Sequence, residues 1–171
     1  MAIRAYEMTI LELNSCSRDR FVEQLSGIFE HSPWVAERAW AARPFAGIDA
    51  LHAAMSAQVD AASHAEQLAL LRAHPDLGTR SRMSIASAGE QARAGLSSLT
   101  PDELQRLEQL NTLYRGRFEF PFIYAVKGAT KEDILRALQT RLAPSPEEEF
   151  AEALKQVYRI ARFRLEDTLT P

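Results

Sequence analysis

The chain has 171 residues, 46% of them hydrophobic and 25% charged, with a net charge of −3. That length supports one domain with a real core, read here as spanning residues 1–171, and the charge leaves no basic footprint for a nucleic-acid partner. A single cysteine, Cys16, rules out an internal disulfide and fits a reducing compartment. No apolar run approaches the roughly 18 residues that span a bilayer. Met1-Ala2-Ile3-Arg4-Ala5-Tyr6 lacks the apolar core of a secretion signal, and Thr168-Leu169-Thr170-Pro171 is not a peroxisomal address. A cytoplasmic protein without a membrane partner is expected.

Helical periodicity with start signals recurs along the chain. Ser17 can cap a helix with Phe21, Leu25, Ile28 and Phe29 on its apolar face. Ser32-Pro33 restarts the chain ahead of Trp34, Val35 and Trp40, with proline in the first helical turn. Pro44 and Gly47 punctuate before the stripe Ile48, Leu51, Met55 and Val59. Ser63 with Glu66, Thr100-Pro101-Asp102 with Glu103, and Thr130 with Asp133 each have the spacing of a capping box. The helices they open carry Leu68 and Leu71, then Leu104, Leu107 and Tyr114, then Ile134 and Leu138. Ser145-Pro146 opens the last and longest helix, expected to run to about Asp167.

Residues 118–126 alone read as extended, being aromatic and β-branched around Pro121. One strand cannot make a sheet. The expected fold is therefore all-α, a single multi-helix bundle crossed by one irregular segment. The amides of that segment need partners, which a ligand, side chains, water or helix ends could supply.

His31, His52, His64 and His74 show no i, i+4 pairing and no nearby cysteine cluster, so zinc spacing is absent. Neither a glycine-rich phosphate loop nor a nucleophile elbow appears, so any chemistry is expected to run without metal or nucleotide. His74 precedes Pro75 at the end of a helix, where the negative end of the dipole favours its protonated form. It reads either as a proton donor and acceptor or as a helix C-cap. Ser87 and Glu90 read as a further capping box, at a helix start that could also receive an anion or a carbonyl. In the last helix Phe150, Leu154, Val157, Ala161 and Thr168 form a stripe, and Arg164 falls within about 60° of its centre. Arg159 and Arg162 point away. An inward arginine needs an anionic partner, either a structural carboxylate or a substrate.

Read jointly, the segments carry more. The chain resembles the 2-oxo-4-hydroxy-4-carboxy-5-ureidoimidazoline (OHCU) decarboxylase family over essentially its whole length. The matching stretches are Phe29-Glu30-His31-Ser32-Pro33-Trp34, His74-Pro75-Asp76-Leu77-Gly78, and Ser87 with Glu90-Gln91 and Gly95-Leu96. Phe120-Pro121-Phe122-Ile123, Ala125-Val126-Lys127-Gly128 and Arg162-Phe163-Arg164-Leu165-Glu166-Asp167 follow in order.

The resemblance implies a compact helical fold, commonly a homodimer, with one small-molecule substrate and no cofactor. The implied reaction forms (S)-allantoin in urate breakdown. The family's catalytic histidine falls on His74, and its substrate-holding glutamate and arginine fall on Glu90 and Arg164. Further substrate contacts fall on Pro75, Ser87 and Gln91, and on the main chain of Phe122, Ile123, Tyr124, Ala125 and Val126. The stretch from His74 to Glu90 is shorter than in many family members, the shortening lying in residues 79–86, which read as loop. A different reading is a helical interaction module that keeps the fold without the reaction. In that case Arg164 and Glu90 would satisfy each other and no concave pocket would remain.

Overall fold

The computed structural model describes residues 8–78 and 85–170. Among these residues the chain forms nine α-helices and one two-residue parallel bridge. The helices are α1 (Ile10–Ser15), α2 (Arg18–Leu25), α3 (Trp34–Ala39), α4 (Ile48–Asp60) and α5 (His64–Arg72). After them come α6 (Ile85–Arg93), α7 (Pro101–Phe118), α8 (Lys131–Thr140) and α9 (Pro146–Thr168). The bridge pairs β1 (Met8–Thr9) with β2 (Leu169–Thr170), Met8 opposite Leu169.

The start signals act as their chemistry requires. Ser63, Thr100 and Thr130 each accept from the backbone three residues on, and the acidic side chain at that position returns the bond. Thr9 and Ser145 build the same reciprocal cap. Each satisfies amide groups that a helix start leaves without partners, worth about 1 kcal/mol apiece. Helix α2 stops at Leu25, short of the expected stripe. Ile28 and Phe29 are buried all the same, delivered to the core from the turn that follows.

The longest helix, α9, is the pillar: α4, α5 and α7 all pack against it. Its buried face runs through Ala153, Val157, Ile160, Ala161 and Leu165. The expected stripe was rotated from this, since Phe150 and Leu154 are only partly buried and Ile160 was missed. Phe118, expected to open the extended segment, is instead the last residue of α7; residues 119–126 form no helix or strand, as expected, and Phe120, Phe122, Ile123, Ala125 and Val126 are buried. Tyr114 of α7 anchors the stretch, with its ring edge-on to Phe120 and Phe122 at 5.9 and 5.4 Å.

Residues 79–84, most of the shortened stretch, lie outside the described residues. Ile85 and Ala86 are not loop, however; they form the first turn of α6.

The His74-Pro75-Asp76-Leu77-Gly78 turn is tied on three sides. Gly78 N donates to Gln91 Oε1 at 2.9 Å, Asn111 Nδ2 donates to the Leu77 carbonyl at 3.0 Å, and Arg115 pairs with Asp76 at 2.9 Å. Gly78 sits at φ +79, and a Cβ there would lie 2.4 Å from Leu107 Cδ2. Gly78→Ala is therefore expected to destabilise the chain by about 1–3 kcal/mol. Gly116→Ala, in α7 with open space around it, should stabilise by about 0.5–1 kcal/mol. Urea midpoints of the two variants should move in opposite directions.

Candidate active site

At the centre of the site a buried guanidinium lies between two carboxylates. Arg164, 5% exposed, projects inward from the last two turns of α9. Its Nε donates to Glu90 Oε1 at 2.8 Å and its Nη2 reaches Glu90 Oε2 at 3.2 Å, a forked pair. Nη2 also meets Glu30 Oε2 at 2.9 Å and Ser87 Oγ at 3.0 Å, while Nη1 donates to the Gly27 carbonyl at 3.1 Å. Ser87 Oγ in turn donates to Glu30 Oε2 at 2.7 Å. Burial disfavours the charge on Arg164, yet Glu90 and Glu30 outweigh it and hold the guanidinium above its ordinary value.

Ser87 and Glu90 do not form the expected capping box. Helix α6 begins at Ile85, two residues before Ser87, so both lie inside it. Three residues apart within a helix they share one face, and that face meets Arg164. The same geometry that mimics a cap in sequence here delivers two side chains to one partner.

His74 is 7% exposed, just beyond α5. Its Nδ1 lies 2.9 Å from the Leu70 carbonyl, which can only accept, so Nδ1 carries the hydrogen. Neutral His74 then presents Nε2 as a bare lone pair. The expectation from the helix dipole is overturned. Burial pushes the imidazole down to about 4, although the Leu70 carbonyl and the charge of Glu30 favour protonation; Arg164 and His31 add to the lowering. Removal from water exceeds the pull of the helix end.

One cavity joins these groups. It is lined by His74, Glu90 and Arg164, by Pro75, Ser87 and Gln91, and by Phe122, Ile123, Tyr124 and Val126, with Leu77 and Ile160 closing it. At about 30 Å³ it is water-sized, and beside it opens a chamber of about 250 Å³ that shares Glu90, Val126 and Ile160. Ala125 departs from the expected set. It faces the chamber rather than the inner cavity, and its amide donates to Gln156 Oε1 at 3.0 Å. The amides of Phe122, Ile123, Tyr124 and Val126 meet no acceptor among the described residues. Arg162 lies away from the cavity and pairs with Asp49 and Glu166. Among the described residues no group of three His, Cys, Asp or Glu is arranged to hold a metal ion.

Two contributors escaped the sequence reading. Glu30 belongs to a matching stretch and directly follows the apolar pair Ile28 and Phe29, its one signal in the sequence. The second is a buried cluster behind the extended segment. Glu149 Oε1 accepts from Tyr114 Oη and from Arg141, whose Nη1 also donates to the Ile123 carbonyl and whose guanidinium covers the Phe122 ring at 4.7 Å. Burial, then the Glu149 carboxylate, push the Tyr114 hydroxyl far above its usual value.

Residues 14–166 match the OHCU decarboxylase family. The chain belongs to that family. It is 46% identical over 160 residues to the 2-oxo-4-hydroxy-4-carboxy-5-ureidoimidazoline decarboxylase of Haloferax volcanii, covering 94% of this chain and 95% of that one. With the Bacillus subtilis uric acid degradation bifunctional protein it shares 48% identity over 162 residues, covering 95% of this chain but 33% of that one. The crystal structure of an (S)-allantoin synthase superposes with a TM-score of 0.78 at 38% identity, over 95% of this chain and 54% of that one. A crystal structure of OHCU decarboxylase in the presence of (S)-allantoin shares the fold, with a TM-score of 0.68 at 23% identity over 87% of this chain and 96% of that one. Placed in this OHCU decarboxylase fold, the inner cavity is bounded by α6, α9, the His74 turn and residues 122–126.

The depressed His74 has a consequence for folding. An unfolded-chain histidine titrates near about 6.5, so between that value and about 4 the unfolded chain binds the extra proton. The contribution is complete above the upper value and is lost as pH falls toward the lower one. The stability difference between wild type and His74→Gln should therefore shift, to the disadvantage of wild type, by up to about 1.4 kcal/mol per pH unit across this window. Urea unfolding of both proteins from about pH 7 to about pH 5 measures it.

Proposed function

We propose that this chain decarboxylates 2-oxo-4-hydroxy-4-carboxy-5-ureidoimidazoline to (S)-allantoin, with His74 as the proton carrier. The observation that carries this reading is the shared cavity, in which an unprotonated imidazole nitrogen stands with Glu90, Arg164 and the main chain of residues 122–126. Membership of the family supports the substrate.

The chemistry fits these groups. The carbon that loses carbon dioxide also bears a hydroxyl and adjoins a ring C=N bond. The electron pair left by the broken C–C bond moves into that bond, and the ring nitrogen takes up one proton from solvent. The resulting enol passes its hydroxyl proton to His74 Nε2, which returns it to the neighbouring ureido-bearing carbon as the C=O forms. Proton gain and loss at His74 cancel over the cycle. Delivery from one fixed side sets the hand of the new centre, with the amides of Phe122, Ile123 and Tyr124 orienting the ring.

Arg164 already faces two carboxylates, so its remaining donor suits a substrate carbonyl oxygen better than a third anion. A guanidinium has five N–H groups, and one on Nη1 meets no acceptor among the described residues. Glu90 keeps lone pairs for ureido or ring N–H groups, and Ser87, Gln91 and Pro75 complete the wall. Because the ring itself accepts the electron pair, we read the reaction as cofactor-free. We also read the enzyme as a homodimer, as the family resemblance implies, and as cytoplasmic, as expected from the sequence; among the described residues no helix is long and apolar enough to cross a membrane.

The mutual pairing of Glu90 and Arg164 favours one competing reading, a non-catalytic helical module. Circular dichroism of freshly made substrate separates the two. Rapid growth of optically active allantoin is expected from the enzyme, and only slow racemic decay from the module. His74→Ala should lower turnover by roughly 10²–10⁴ with the helical spectrum retained. The acid limb of the wild-type rate should fall near pH 4, the value to which burial pushes His74, and not near that of a free histidine. Arg164→Lys should raise KM at least about tenfold, because a point charge replaces the planar fork; an unchanged KM would remove Arg164 from substrate binding.

A further inference from the structure

We propose that Glu30 is a positioning residue of the active site, fixing the far end of the Arg164 guanidinium so that the catalytic arginine stays aimed when Glu90 turns to the substrate. The inference rests on the reading of Arg164 and Glu90 as substrate-binding groups.

Glu30 lies in the turn after α2, far along the chain from α9, and is 1% exposed. A buried carboxylate is costly unless held, and this one is held twice at Oε2, by Arg164 Nη2 at 2.9 Å and by Ser87 Oγ at 2.7 Å. On its other side His31 Nε2 stands 3.5 Å from Oε1. The triangle is directional: Ser87 donates to Glu30 and accepts from Arg164, so each bond orients the next.

Glu90 alone could neutralise Arg164, yet Glu90 is the more exposed carboxylate, its side chain 22% accessible against 0% for Glu30. It lines both the inner cavity and the chamber, whereas Glu30 lines neither. One carboxylate is thus available to a ligand and the other is out of its reach. If Glu90 shifts toward substrate N–H groups, Nη2 remains pinned by Glu30 and Ser87, Nη1 by Gly27, and the guanidinium plane cannot rotate. Without Glu30 only the neutral Ser87 hydroxyl and Gly27 carbonyl would oppose the pull of Glu90, and the plane would follow it. The division of labour also explains why the site sets two acids, one buried and one partly exposed, against one base.

The test combines kinetics with the guanidinium itself. Glu30→Gln keeps the shape and an acceptor for Ser87 but removes the charge; Glu30→Asp keeps the charge and shortens its reach. KM is expected to rise about tenfold or more in Glu30→Gln with a smaller change in kcat, and Glu30→Asp should recover part of it. In ¹⁵N NMR of the ligand-free protein, the Nη protons of Arg164 should be individually resolved in wild type and averaged by rotation in Glu30→Gln. A variant with lowered thermal midpoint but wild-type KM, kcat and resolved Nη protons would overturn the proposal and leave Glu30 a packing residue. Wild-type protein that forms no optically active allantoin would instead sink the decarboxylase reading. The NMR comparison still decides, independently of turnover, whether Glu30 fixes Arg164.

Discussion

One buried cation organises this molecule. Arg164 brings together the turn after α2, the face of α6 and the end of α9, because a guanidinium needs acceptors where water is scarce. Its partners come from two segments far from α9 in the chain, residues 27–30 and 87–90, so satisfying the guanidinium and assembling the site are one event. The formal charges do not cancel. Two carboxylates face one guanidinium beside a neutral imidazole, and Glu90, which lines the cavity, presents lone pairs to hydrogen-bond donors of a ligand.

The extended segment is the second requirement. Residues 122–126 stay out of helix and strand, which leaves the amides of Phe122, Ile123, Tyr124 and Val126 without acceptors among the described residues, and such a main chain in a core needs outside support. Three supports supply it: the Tyr114 ring, the Arg141–Glu149 pair that captures the Ile123 carbonyl, and Gln156 that takes the Ala125 amide. The irregular stretch is thereby held without using the hydrogen bonds that a helix would consume.

Much of this was legible in the residues because local rules govern caps and periodicity. Ser63, Thr100 and Thr130 announced their helices, and the inward face of α9 selected Arg164 over Arg162 by angle alone. What escaped depended on pairing across the chain. Glu30 sits in a turn with no period to flag it, and the Ser87–Glu90 spacing has the same form in a cap as in a helix face. The His74 reading failed for a related reason: a helix-end field can be inferred from sequence, whereas the loss of hydration that exceeds it depends on neighbours remote along the chain. The same angular reasoning leaves Glu149 about 100° from the expected stripe, and only the true buried face of α9, rotated from the expected one, includes it.

Helix α9 carries Glu149, Gln156 and Arg164, and each fixes a different part of the pocket. At a rise of about 1.5 Å per residue they stand roughly 10 and 12 Å apart along the axis, like graduations on a ruler. Axial slippage by a single position would swing all three by about 100° together. The helix therefore makes the pocket an all-or-none assembly: its walls cannot be retuned one at a time by insertion or deletion here, only by exchange of side chains in place.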